Sequence, residues 1–278
     1  GGIMGLSIFN NVPAMNANRV LNGTQAQMNQ AMERLSSGLR INRAADDAAG
    51  LAVSESMRSS IRGMGVASRN AQDGVSLVQV ADGALGNVGD MLQRSRDLAV
   101  QASNGTLTDS QRANLNAEFQ QILTEINTIG TDTDFNGIKI LSGSVSTAAS
   151  AVTLQVGSTG AQTIAFTVGT VSAGQLGVSG LAVSSAASAS AAIASIDAAI
   201  STVTTNRATL GSIQNRLEQS INRLGIMAEN LQAAESRVRD ADMAQEMIKF
   251  TKNQILQQRA GQQRPAVGAV AAALSGPA

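Results

Sequence analysis

The chain has 278 residues, of which 20 are basic and 20 acidic, and it contains neither cysteine nor histidine. The lack of both residue types excludes disulfides, thiolate and imidazole metal ligands, cysteine nucleophiles and histidine bases. A formal net charge of zero, without a basic block, argues against nucleic-acid and membrane-surface partners and favours protein partners.

Aromatic residues are scarce, with five phenylalanines and no tryptophan or tyrosine. A compact globule of this size normally draws much of its buried area from large rings. Here alanine, valine, leucine, isoleucine and methionine must form the core, as in thin helical bundles and coiled coils. The composition predicts an elongated chain. Together with the zones described below, it predicts a mainly α fold, an elongated bundle of long N- and C-terminal helices, coiled-coil-like, with a small β-hairpin region in the middle.

The first zone, residues 14–132, is polar and has a helical period. Its apolar stripe predicts helices that each bury one narrow seam against other helices. Asn104 and Gly105 interrupt the pattern, and Thr108 with Asp109 can cap the next helix. The seam near the N-terminus comprises Leu21, Met28 and Leu35 at steps of seven, with Met32 and Leu39 interleaved.

Six glycines lie inside this helical pattern, and each costs roughly 1 kcal/mol relative to alanine in a helix interior. The helix must either break there or use the small residues for close packing. We favour close packing, because the apolar stripe continues through Gly63, Gly65, Gly74, Gly83, Gly86 and Gly89.

The second zone carries no charged residue from Ile140 to Ile196. Apolar residues alternate over 152–156 and 164–168 around a glycine-rich turn, which predicts a β-hairpin. We expect the rest of the zone to be a small surface excursion with flexible Ser/Ala linkers. We expect the hairpin to project from the far end of the bundle.

The third zone, residues 190–258, returns to a helical period. Its seam is as long as the N-terminal one, so the simplest architecture pairs the two terminal zones in one bundle. The seam residues, seven apart, are Leu210, Leu217, Leu224, Leu231 and Val238.

Motifs for chemistry are weak. Gly63 and Gly65 begin a dinucleotide-binding pattern, but no strand precedes them and Ser68 replaces the third glycine. Asp46 and Asp47 would point apart as adjacent helix residues beside arginines, which favours ion pairs over an acid/base dyad. We expect no enzymatic activity, no catalytic, cofactor-binding or metal-binding residues, and no cofactor. No apolar run reaches the length of a spanning helix, and the N-terminus lacks a secretory signal pattern.

Longer strings resemble one family. The stretches that carry the resemblance cover both ends of the chain in order, and they are similar to the terminal regions of bacterial flagellins. They are residues 32–42 (MERLSSGLRIN), 44–51 (AADDAAGL), 68–74 (SRNAQDG), 93–101 (QRSRDLAVQ), 135–141 (FNGIKIL) and about 211–258.

The resemblance implies a short flagellin that polymerises into the extracellular flagellar filament for motility. It implies an inner coiled-coil layer from residues 1–45 and 240–278, and an outer rod from 46–139 and 191–239. Residues 140–190 would replace the family's variable outer domain. Implied partners are other subunits, the filament cap, hook-junction proteins, a secretion chaperone and the type III export apparatus, without a cleaved signal peptide.

The resemblance also implies a receptor epitope. Residues 93–101 are similar to the site that a vertebrate Toll-like receptor recognises in many flagellins, with Arg94 and Leu98 at its key positions and Glu118 on the next helix. These residues could instead pack subunits together, and both roles can hold.

The last part of the chain departs from the family pattern. Residues 259–278 are atypical, and Pro265 is expected to interrupt any helix there. Two other readings remain open: a hook–filament junction protein, and a cytoplasmic coiled-coil adaptor that would form a stable dimer.

Overall fold

The computed structural model describes residues 12–143, 145 and 150–273, and their side chains apart from those of residues 13, 14 and 260–273. Predictions for residues 1–11 and 274–278 lie outside this range. The mainly α prediction is confirmed. The elements are α1 (Val12–Ser37), α2 (Ala48–Ala102), α3 (Asp109–Asp132), β1 (Asp134–Phe135), β2 (Ile138–Lys139), β3 (Val152–Gln155), β4 (Thr163–Phe166), α4 (Ala186–Arg239) and α5 (Met243–Ala273).

The chain divides into two compact units. The terminal unit comprises residues 1–59 and 230–278, and the central unit comprises residues 60–229. The predicted boundaries of the inner and outer layers, at 45/46 and 239/240, concern an assembled state and stay predictions.

Antiparallel packing of α2 and α4 organises the central unit. Arg207 Nε on α4 donates to Asp82 Oδ1 on α2 at 2.8 Å, and further along α2, Arg96 Nε donates to Asp197 Oδ1 at 2.7 Å. Partner numbers on α4 fall as those on α2 rise, so the helices run in opposite directions. Between them lie buried apolar residues at helical spacing, including Val78, Leu85, Leu92, Ile196, Val203, Leu210 and Leu217.

The uncharged middle segment belongs to the same core, so the prediction of a surface excursion was wrong. Valine, leucine, isoleucine and phenylalanine side chains between residues 140 and 183 are buried with those of α2, α3 and α4. Side chains of α3 hold the segment: Ala173 N donates to Asn127 Oδ1 at 2.8 Å, and Val183 N donates to Asn116 Oδ1 at 2.9 Å. The prediction gave too little weight to the few large apolar residues of this segment, because small residues outnumber them.

The predicted hairpin is confirmed, with β3 and β4 antiparallel and Val152 opposite Phe166. Its predicted projection was wrong, because the hairpin packs on α2. Asn70 Nδ2 on α2 donates to the Gln155 carbonyl oxygen at 3.1 Å. Leu154 covers Gly74, and it has room there only because a glycine lacks a Cβ.

α2 runs without a break through all six glycines. The predicted close packing is observed at Gly74, which faces Leu154 and Leu217, and at Gly63, which faces Ser158. For Gly65, Gly83 and Gly86, no described atom apart from the adjoining backbone of α2 lies within 4 Å of a Cβ built on them. Close approach within the chain therefore explains only part of the glycine pattern.

The predicted cap of α3 is confirmed as a capping box. Gln111 N donates to Thr108 Oγ1 at 3.4 Å, and Thr108 N donates to Gln111 Oε1 at 2.9 Å, which satisfies two helix-end donors reciprocally. Beyond α3, Asn136 and Gly137 both adopt positive φ angles, of 52° and 80°, in the two-residue turn that joins β1 and β2.

The expected interruption of the helix at Pro265 was wrong. α5 continues through Pro265 to Ala273. The proline removes one backbone N–H at a cost of about 3 kcal/mol, while alanine, the strongest helix former, dominates the sequence after it.

By length and composition alone, α4 would be apolar enough to cross a membrane. Its stripe of Ala189, Ala192, Ile196, Ala199 and Val203 is buried in the core, so we interpret it as a core helix.

Candidate assembly surfaces

In the terminal unit, α1 packs antiparallel against α5. Glu246 on α5 is buried and accepts from Arg34 Nη1 on α1 at 3.4 Å and from Lys249 Nζ at 2.6 Å. Gln257 Nε2 donates to Gln25 Oε1 further along the pair. Pairing with two cations compensates the cost of burying the Glu246 carboxylate.

Both helices also carry large apolar side chains that no other described residue covers. Ile248 is 68% exposed and Met15 is 69% exposed. Exposed apolar residues cluster along one side of α5, where Met247, Ile248, Thr251, Lys252, Ile255 and Leu256 line a shallow concave surface. Contiguous exposed apolar surface of this kind marks a site of protein interaction. We name it the α5 face. The exposed apolar residues of α1 are Val12, Met15, Val20 and Met32.

The predicted seam residues fall into two groups. Leu21, Met28, Leu35 and Leu39 of the N-terminal zone are half-buried, and Met32 is exposed. In the third zone Leu210, Leu217 and Leu224 are fully buried within the chain, whereas Leu231 and Val238 are half-buried. Three of the ten seam residues are therefore already buried by contacts within the same chain.

Sequence reasoning missed the α5 face because it followed the seven-residue spacing only to Val238. The signal was present, since Met243, Met247, Thr251 and Ile255 follow one another at steps of four. Such a stripe predicts one apolar helix face.

The connection between α1 and α2 is tied to the one between α4 and α5. Arg40 N donates to the Arg239 carbonyl oxygen at 2.7 Å, and Ala241 N donates to that of Gly38 at 2.9 Å. Gly38 has φ 72°, the left-handed conformation that ends α1 without the strain a side chain would add. The two bonds form a short antiparallel bridge around Leu39 and Asp240.

Asp46 and Asp47 lie in this connection and not on a helix, so the predicted helical ion pairs were wrong. Asp46 Oδ2 accepts from Arg43 N at 3.1 Å and from Asn42 N at 3.2 Å. These two backbone hydrogen bonds, of which the one from Arg43 has the larger effect, hold the pKa of the Asp46 carboxyl below its ordinary value. Asp47 Oδ1 accepts from Gly50 N at 2.9 Å and caps α2.

A charged cluster joins α2 and α4 within the terminal unit. Arg239 is buried, and its Nη1 donates to Glu55 Oε1 at 2.8 Å. Its hydrogen bond to Glu55 lowers the pKa of that carboxyl. On the next turn Arg58 Nε lies 3.4 Å from Glu235 Oε1. Charge pairs at these positions fix the register of the two helices.

Among the described residues, no group of three or more acidic side chains is placed to hold a metal ion. The geometry consists of helix seams, ion pairs between helices and uncovered apolar faces, which suit assembly more than chemistry.

Comparison with known families identifies this arrangement. The family model described as the bacterial flagellin N-terminal helical region matches residues 8–146, and the one described as the C-terminal helical region matches residues 193–263. The chain belongs to the flagellin family. The C-terminal match extends past Gln258, where the resemblance in the sequence was predicted to end.

Individual relatives agree with this assignment. A flagellin of Halalkalibacterium halodurans is 48% identical over 253 residues, covering 90% of this chain and 92% of the relative. A flagellar filament 31.3 kDa core protein of Treponema maltophilum is 43% identical over 263 residues, covering 90% of this chain and 92% of the relative. A putative flagellar hook-associated protein from Vibrio parahaemolyticus has a similar fold, with TM-score 0.58 and 15% identity, covering 70% of this chain and 100% of that one.

The residues that the flagellin resemblance assigns to a receptor epitope are not all accessible. Arg94 Nη2 and Nε donate to Glu118 Oε1 at 2.7 and 3.0 Å, and the two side chains are 56% and 45% exposed, respectively. Leu98 is 1% exposed and belongs to the core. The structure thus brings Arg94 and Glu118 together on the surface of the central unit and buries Leu98 beneath that surface.

Proposed function

We propose that this flagellin polymerises into the bacterial flagellar filament through the apolar faces of α1 and α5. The supporting observation is the α5 face, a line of methionine, isoleucine and leucine side chains that stay uncovered in the part of the chain that the structure describes. Removing such surface from water contributes about 25 cal/mol per Å², and a second copy of the chain carries the same surfaces. Repetition of one heterologous contact generates a helical filament.

Fewer of the predicted seam residues contribute to assembly in this proposal. Leu210, Leu217 and Leu224 stabilise the monomer, because their surface is already buried in the same chain. The contacts between subunits then come from the exposed residues of α1 and α5, with the half-buried members of the seam at their edges.

The test is seeded polymerisation of two variants of α5, followed by electron microscopy. Ile248→Asp places a carboxylate on the α5 face, and we expect it to abolish filament growth without altering the monomer's circular dichroism. Ile248→Leu is the control, because it keeps an apolar side chain of the same volume at the same position of the α5 face. We expect this variant to polymerise like the unchanged chain.

Normal filaments from Ile248→Asp would refute the role of the α5 face. If neither the unchanged chain nor Ile248→Leu forms filaments and both sediment as a stable dimer, the coiled-coil adaptor becomes the better explanation. Capping of short filaments without elongation would favour the hook–filament junction protein.

The other flagellar partners belong to the same proposal. The chain is exported by the type III apparatus and assembles beneath the filament cap outside the cell. A secretion chaperone covers α5 before export, since uncovered apolar helices aggregate at high concentration. Co-purification of a chaperone with the full chain, lost in Ile248→Asp, would support this role of α5.

A second role as a Toll-like receptor ligand is supported by the exposed Arg94–Glu118 pair. In this proposal Leu98 acts only by supporting α2 from beneath, because it is buried. Receptor signalling should fall with monomeric Arg94→Ala and remain with Arg69→Ala, an exposed arginine elsewhere on α2. Unchanged signalling by Arg94→Ala would count against the epitope.

A further inference from the structure

Three Asn-Gly pairs occur in the chain, at residues 22–23, 104–105 and 136–137. In such a pair the backbone nitrogen of glycine can attack the side-chain carbonyl carbon of asparagine, because glycine offers no side chain to block the approach. The three pairs share this local chemistry and differ only in what the fold does to the attacking nitrogen and to the side-chain carbonyl.

Two of the pairs have the attacking nitrogen engaged. Gly23 lies inside α1, where its N–H belongs to the helical hydrogen-bond ladder. Gly137 N donates to Asp134 Oδ2 at 3.1 Å in the turn between β1 and β2. Attack at either position requires breaking a hydrogen bond and distorting a regular element.

The third pair lies in the exposed loop between α2 and α3. Among the hydrogen bonds of the described residues, none has Gly105 N as donor. Asn104 Oδ1, in contrast, accepts from Thr106 N at 3.3 Å in an Asx turn. That oxygen would carry the negative charge once the carbonyl carbon is attacked, so the Thr106 N–H acts on it as an oxyanion-hole donor does.

A buried arginine acts on the other reacting group. Arg112 is only 8% exposed, and its Nη2 donates to the Asn104 backbone oxygen at 3.0 Å. This oxygen belongs to the same peptide unit as Gly105 N. A guanidinium on the oxygen stabilises the anion that forms when Gly105 N loses its proton, because its positive charge attracts the negative charge that develops on that oxygen.

We propose that Asn104 is a site of spontaneous deamidation, activated by Arg112 and by the Thr106 N–H. Hydroxide removes the Gly105 amide proton, and the nitrogen forms a bond to Asn104 Cγ. The bond from Cγ to the side-chain nitrogen then breaks, and ammonia leaves with a proton taken from water. Water opens the resulting succinimide at either carbonyl and gives isoaspartate or aspartate.

The product differs from the starting chain in charge and in backbone length. One carboxylate is added to a chain of formal net charge zero, so the product separates as an acidic variant on ion exchange. Isoaspartate also adds a methylene to the backbone of a loop whose carbonyls at Ala102 and Asn104 are both held by Arg112.

The test is incubation of the full native chain at mildly alkaline pH, followed by tryptic peptide mapping for isoaspartate. Each Asn-Gly pair falls in its own tryptic peptide: residues 20–34, 97–112 and 113–139. A parallel sample in denaturant gives the rate that each pair has without the fold. We expect the native peptide 97–112 to convert at least as fast as the denatured one. The other two should convert at least about tenfold slower in the native chain, since their hydrogen bonds must open first.

A variant separates activation from simple exposure. Thr106→Pro keeps Asn104 and Gly105 but removes the donor to Asn104 Oδ1, so its native rate should fall about tenfold. Circular dichroism and thermal unfolding check that the variant is folded. Slower conversion of peptide 97–112 in the native chain than in the denatured chain would overturn the proposal. So would an unchanged rate in folded Thr106→Pro, which would leave no role for the hydrogen bond.

Discussion

Gly130, near the end of α3, is the position where one methyl group should cost most. It is buried, and a Cβ built on it lies 1.8 Å from the Val171 carbonyl oxygen and 3.0 Å from the Val171 carbonyl carbon. Both atoms are backbone and cannot rotate away as a side chain would. Val171 is itself held, since its N–H donates to the Leu141 carbonyl oxygen at 2.9 Å.

The structure gives a magnitude for Gly130→Ala. Ordinary contact begins at 3.4 Å, so the segment around Val171 must move by roughly 1.6 Å, the difference between 3.4 and 1.8 Å. Overpacking of this kind costs about 1–3 kcal/mol, and loss of the Val171 hydrogen bond about 1 kcal/mol. Alanine regains about 1 kcal/mol of helix propensity. We expect a net loss of about 2 kcal/mol, or roughly 4–8 °C in Tm for a unit of this size.

Two glycines of α2 are controls for the same substitution. Gly83 has no other group within 4 Å of its Cβ position, so Gly83→Ala should stabilise the monomer by about 0.5–1 kcal/mol. Gly74→Ala meets Leu154 Cδ1 at 2.2 Å. That methyl is the end of a flexible side chain, so the variant should fall between the other two.

Urea unfolding of the three monomeric variants, followed by circular dichroism, measures these free energies of unfolding. The expected order of stability is Gly83→Ala, then Gly74→Ala, then Gly130→Ala. If Gly130→Ala is as stable as Gly83→Ala, the close approach of the middle segment to α3 is refuted.

Three further predictions concern single hydrogen-bonded groups. The folded pKa of Asp46 is lowered, so its contribution to stability is full above its ordinary pKa of 3.8 and is lost as pH falls through the lower folded value. Acid should therefore lower the protection factors of the Asn42 and Arg43 amides, taken relative to the intrinsic exchange rate at each pH, and Asp46→Asn should remove that pH dependence. Asn127→Ala leaves the buried Ala173 N–H without its acceptor and should lower the free energy of unfolding by about 1–3 kcal/mol. Asn114→Ala, at an exposed position on the same helix, should change it by less than about 0.5 kcal/mol, and equal losses would contradict the assignment. Thr108→Ala should cost about 1 kcal/mol by calorimetry, from loss of the α3 cap, and an unchanged Tm would exclude the capping box.

Much of the fold could be predicted from local pattern. The helices, the break at Asn104, the cap at Thr108 and the hairpin around residues 157–160 all follow from periodicity or turn chemistry that acts over a few residues. The family could also be recognised, because strings such as residues 32–42 are long and specific. The α5 face could have been found from the steps of four after Met243.

Local pattern could not decide which surfaces meet. The regular spacing of Leu210, Leu217 and Leu224 is the same for a seam within one chain and for a seam between chains, and only the antiparallel pairing of α2 with α4 shows that these residues are buried in the monomer. The contribution of the middle segment to the core was underestimated for the same reason. Val171 and Val183 are buried in a segment that α3 binds through Asn127 and Asn116, and the sequence pattern does not reveal these contacts.

The sequence by itself determined the helical class, the family and the apolar stripes, because these depend on residue type and on spacing along one helix. The tertiary structure decided which stripes are covered within the chain and which remain exposed for assembly. It also decided which of three identical Asn-Gly pairs has an unengaged nitrogen. The covering of the stripes depends on contacts between residues far apart in the chain, such as Asp82 with Arg207, and local sequence pattern carries no information about those contacts. The state of each Asn-Gly pair depends on nearer partners, such as Thr106 and Arg112 for Asn104, and on the conformation that the fold gives them.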